Sequence, residues 1–122
     1  HDYVKAAAAY ELALDDCLTS YGDQHPLTAW IYILAGRSAF DAGSAQAGLV
    51  QMRTGLRILR DTVGSENAEY ASGELAYSVA LQKNGRQAEA GEIRADAMRV
   101  LTTRSHSSCA NCTVSVWSLR NP

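Results

Sequence analysis

The sequence predicts an all-α fold, a solenoid of antiparallel helical hairpins, and three observations predict it. Apolar residues recur at helical rather than alternating spacing through most of the chain. Breakers are few, two Pro and nine Gly in 122 residues, so long segments are free to be helical. The chain also repeats itself. Gly22 and Gly64 stand 42 residues apart, as do Gly43 and Gly85, and the same offset lays Ala29 on Ala71, Arg57 on Arg99, and Leu14 on Leu56 on Met98. A fixed period of this length marks stacked supersecondary units, each unable to bury its apolar face alone.

The first predicted helix, 2–20, is the back half of a unit. Its Ala6 and Ala13 fall on Gly48 and Gly55 and again on Ala90 and Ala97, small residues that let neighbouring backbones approach. The second helix, 26–42, opens at His25 and Pro26. Proline at the first helical position loses no hydrogen bond, and His25 stands where Asn67, a good N-cap, stands one unit later. Gly43 ends it. The third helix, 45–62, carries Leu49, Met52, Leu56 and Leu59 on one face, and Gly64 ends it. The fourth, 67–84, stops at Gly85, and the fifth spans 87–104. Residues 1–104 thus form one repeat domain, a half unit (2–20) and two full units (21–62 and 63–104), followed by a tail, 105–122.

The stretch "YGDQHPLTAW", Tyr21 to Trp30, places Gly, Asp and His within five residues, as a catalytic loop would. A catalytic His needs a nucleophile or an oriented carboxylate, and Asp23, two residues away in a turn, is poor support. The repeat gives it no counterpart acid. The stretch reads as a joint between units.

Composition narrows the function classes. A net charge of −2 gives no reason to expect nucleic acid, which needs concentrated Lys and Arg. No run of about 18 apolar residues exists to span a membrane, and no signal-peptide pattern opens the chain. A soluble protein is expected. Three Cys argue against a disulfide framework and for a reducing, cytoplasmic compartment. No phosphate loop, paired-carboxylate site or nucleophile elbow is present, so no enzyme activity and no cofactor is expected.

The small and aromatic pattern of "YVKAAAAYELAL", Tyr3, Ala6, Tyr10 and Ala13, resembles the tetratricopeptide repeat. Ala45, Gly48, Met52 and Gly55 take those places in the next unit, and Gln87, Ala90, Arg94 and Ala97 in the last. Gly36 and Ser78 match the small residue of each first helix. The 42-residue period, with "GDQHP" between units, is similar to the kinesin-light-chain type. Glu74 and Arg94 stand where the family has aromatics, a departure expected of a terminal unit whose outer face meets water. The resemblance implies a right-handed solenoid whose first helices line a concave face that binds an extended or helical segment of another protein. The implied lining is Trp30, Ile33, Arg37, Phe40 and Asp41 from the second helix and Ser72, Leu75, Val79, Gln82 and Lys83 from the fourth, with Trp30 as anchor. The Asn and Lys pattern that clamps a terminal carboxylate and the Asn-rich inner face of kinesin light chains are both absent, so neither ligand class carries over.

Three features compete with that reading. The chain begins inside a unit, which looks like a piece of a longer protein, and the unpaired first helix invites self-association or docking to what precedes it. An oligomerising or structural segment, its groove covered by its own tail or a second copy, is the alternative function. The tail carries His106, Cys109 and Cys112, a fair zinc half-site without a fourth ligand in reach. Its later part alternates polar and apolar residues, which predicts either a mobile irregular end or a short strand docked through Val116 and Trp117. Arg53, Arg57 and Arg60 share a face of the third helix, with Arg94 and Arg99 on the fifth among Glu89, Glu92 and Asp96, which reads as solvated surface.

Overall fold

In the computed structural model, which describes residues 2–103 in full, the helices are α1 (Tyr3–Tyr21), α2 (Pro26–Asp41), α3 (Ala45–Val63), α4 (Ala68–Lys83) and α5 (Gln87–Arg120). The fold is all-α, and no strand occurs among the described residues. Four of the expected helices are present to within a residue or two at each end. The tail expected at 105–122, irregular or a short strand, lies outside the described residues, with Val116, Trp117 and the trio His106, Cys109 and Cys112.

The joints form for local reasons. The Nδ1 of His25 accepts the backbone N–H of Leu27 at 3.0 Å, and one unit later Oδ1 of Asn67 accepts that of Glu69 at 2.7 Å. Each supplies a partner to a donor that the helix start leaves orphaned. Thr28, fully buried, donates its hydroxyl to the Gly22 carbonyl at 2.8 Å and ties the new helix to the end of the old one. The Tyr21 ring lies over His25, with ring centroids 4.7 Å apart.

The tight turns inside the two hairpins are the same. Gly43 and Gly85 take φ of 103° and 82°, a region side chains avoid. The amide after each glycine bonds back to the carbonyl five residues earlier, Ser44 N to Ala39 O and Arg86 N to Leu81 O, both at 2.9 Å. These bonds satisfy carbonyls that the helix end would leave bare.

Each helix packs on the next in the chain, and α2 also meets α4. In the first hairpin α2 and α3 run antiparallel on a seam of small residues. Gly36 faces Gly48 and Met52, Gly48 faces Phe40, and Gly55 faces Ala29. A methyl group at Gly36 would stand 2.5 Å from the carbonyl of Gly48, so the seam closes only because neither residue has a side chain. The core runs through it: Ile33, Leu49, Met52, Ile58, Leu59 and Leu81 are fully buried, and Gly73 of α4 brings Leu56 and Ile33 against it. A second, smaller cluster of Ala71, Ala97 and Val100 joins α4 to α5.

Candidate binding groove between α2 and α4

The contact between α2 and α4 leaves a cavity of about 80 Å³ lined by Arg37, Phe40, Asp41, Ala76, Val79, Ala80 and Lys83. The α2 residues are spaced i, i+3, i+4 in its last turns, and the α4 residues i, i+3, i+4, i+7, so each set shares one helix face. Phe40, half-buried, and the two alanines are its apolar walls, with Val79 half-exposed at 51%. Arg37, Asp41 and Lys83 stand exposed around it, and none is in an ion pair among the described residues. The space is well short of the ~300–1,000 Å³ of small-molecule sites and suits a single side chain offered by a larger partner.

Five residues expected on the inner face, Arg37, Phe40, Asp41, Val79 and Lys83, therefore come together here. The others do not. Ile33 is 1% exposed and belongs to the core, where it meets Gly55 and Gly73. Trp30 is half-buried and packs on the same core, and Leu75 packs on the α4–α5 cluster. Ser72 is exposed on α4 and lines neither cavity. Gln82 lines a different cavity, shared with α5. Ala76 and Ala80 were missed. Their signal was their i, i+4 spacing beside Val79 and Lys83, which marks them as the part of α4 small enough to leave room.

A second electrostatic feature joins α4 to α5. Glu74 is 7% exposed, and one of its carboxyl oxygens has no hydrogen-bond partner among the described residues. Burial, then a hydrogen bond to Asp96 and the charge of that carboxylate, pushes its pKa up to about 7, against a weaker pull from Arg99. Arg99 itself bonds both oxygens of Glu66, at 3.1 and 2.9 Å, and Asp96 at 3.0 Å. The Arg99 bonds to Glu66 hold that carboxyl below its usual value, against burial and the charge of Asp96. Tyr77 is also buried, its hydroxyl has no partner among the described residues, and burial raises its phenol.

The remaining candidates have structural settings. The Nδ1 of His25 is committed to its cap. Arg57 and Arg60 reach Asp61 at 3.6 and 3.8 Å on an exposed face, pairs worth little in stability. Among the described residues no group of three His, Cys, Asp or Glu could hold a metal ion, and no helix is long and apolar enough to cross a membrane. No protein-family model matches the chain, and no curated protein matches it either.

Proposed function

We propose that this chain is a protein-interaction module of tetratricopeptide type, a right-handed solenoid of kinesin-light-chain-like units, in which the α2–α4 groove receives a segment of another protein. The single observation that supports it most is the apolar cavity between α2 and α4, ringed by charges of both signs that form no ion pair among the described residues. An apolar pocket fixes one anchoring side chain, and the charges around it select what flanks that anchor. The groove asks for no chemistry beyond recognition. Val79→Lys changes its wall away from the α2–α3 seam, and Phe40→Ala shortens the other wall while keeping the Cβ that faces Gly48. Both are expected to weaken capture of peptides selected from a random displayed library by about tenfold or more, with helical circular dichroism unchanged. Capture at full strength by both variants would remove the groove from the site.

Self-association is the second reading, favoured by the exposure of Tyr3 (46%), Val4 (71%) and Leu12 (68%) on α1. Light scattering across a concentration series separates the two, because a monomer leaves the α1 surface open while a dimer that Leu12→Lys dissolves would assign it to assembly.

A further inference from the structure

The two hairpins differ at one place in a concerted way. Four positions hold the first hairpin shut near its turn: Gly36 and Phe40 on α2, Gly48 and Met52 on α3, with Met52 fully buried. Forty-two residues later the same four positions carry Ser78, Gln82, Ala90 and Arg94. Both large apolar residues have become polar. The result is a cavity of about 190 Å³ between α4 and α5, lined by Ser78, Gln82, Gln87, Ala90, Gly91 and Arg94.

Its chemistry is one-sided. Gln87, Ala90, Gly91 and Arg94 follow i, i+3, i+4, i+7 spacing and share a face of α5, off which Glu89, Glu92 and Asp96 fall. Arg94 is the only charged group lining the cavity and is in no ion pair or hydrogen bond among the described residues. Two nearby acids are engaged elsewhere, Glu89 by Arg86 and Asp96 by Arg99. Gln82 and Gln87, exposed like Arg94, also line the cavity and carry amide N–H donors. Ser78 is 3% exposed and its hydroxyl is spent on the Leu75 carbonyl at 2.7 Å, so its oxygen faces the cavity only as an acceptor. A guanidinium fork accompanied by amide donors suits an oxyanion, and its planar, bidentate geometry matches that of a carboxylate.

We propose that the α4–α5 cavity is a carboxylate-binding site, with Arg94 taking the carboxylate oxygens and Gln82 and Gln87 completing the hydrogen bonds. The site is separate from the α2–α4 groove and shares no lining residue with it. The carboxylate has two sources, a free small organic acid or an acidic side chain on a peptide.

Titration of the full chain, followed through the Arg94 Nε–H and the Gln82 and Gln87 side-chain amide resonances, tests this with two probes, glutarate and the capped tripeptide acetyl-Ala-Glu-Ala-amide. Saturable shifts with either probe below about 50 mM support the site. Glutarate alone saturating points to a free acid, and the peptide alone to an acidic side chain. Glutaramide, the neutral match, is expected to produce none. Arg94→Met, which restores the first hairpin's residue, and Arg94→Gln are each expected to weaken the affinity about tenfold or more. Phe40→Ala in the other groove is expected to leave it unchanged. Absence of saturation with both carboxylates, equal shifts with glutaramide, or undiminished binding by both Arg94 variants would overturn the proposal.

Discussion

Glu74 stands in the core side of α4 where the preceding unit has Tyr32, and its carboxyl faces Asp96 rather than water. The folded state holds the proton more tightly than the unfolded chain does, because its pKa is raised from 4.5 to about 7. Between those values the native state binds more protons than the unfolded one. The stability it contributes is therefore complete below about pH 4.5 and is lost as pH rises through about 7. From this residue alone, stability is expected to fall by about 1–3 kcal/mol between pH 5 and 8. Glu74→Gln keeps the shape and removes the proton, so its thermal midpoint should rise at pH 8 and its pH slope should flatten. Thermal melts at several pH values check this, and an unchanged slope would refute it. Gly48 is the opposite case, a residue that matters by having no side chain. Gly48→Ala places a methyl against the Gly36 carbonyl and the Phe40 amide. A urea titration is expected to show a loss of about 1–3 kcal/mol, because backbone cannot move aside as a flexible side chain does.

At the scale of the helix, the ends decide the element. Asn67 and His25 cap α4 and α2 through side-chain acceptors, and removing one leaves an amide unpaired. Asn67→Ala is expected to cost about 1 kcal/mol in a chemical melt, and Asn67→Asp to restore most of it. A loss of less than a few tenths would show the cap to be idle. These ends were legible in the sequence, since Gly, Pro and capping residues act through their own backbone and need no neighbours. Depth was not. The inner-face stripe at Trp30, Ile33, Arg37 and Phe40 follows one spacing, yet Ile33 is core, Trp30 leans on the core, and only Arg37 and Phe40 reach the groove. Helical spacing gives a direction around one helix, while burial depends on how close Gly73 lets α4 come to α2 and α3. Gln82 shows the same limit. Its turn on α4 carries it toward α5, which the period alone does not specify. In the sequence Glu74 shows only as a departure from an aromatic pattern, because its meaning depends on Asp96, 22 residues away.

At the scale of the molecule, helices packed each on the next leave a groove where non-consecutive helices meet. Here that is α2 against α4, and its cavity joins residues of two successive units. The second hairpin departs from the first by exchanging apolar seam residues for polar ones, so the two units share a backbone plan but not a surface. Recognition by the α2–α4 groove is the central claim, and the most direct measurement is amide and methyl chemical-shift mapping with a peptide selected from a random displayed library. The perturbed residues are expected to centre on Arg37, Phe40, Ala76, Val79, Ala80 and Lys83. Shifts centred on the exposed α1 residues Tyr3, Val4 and Leu12, with the groove resonances unmoved, would contradict it.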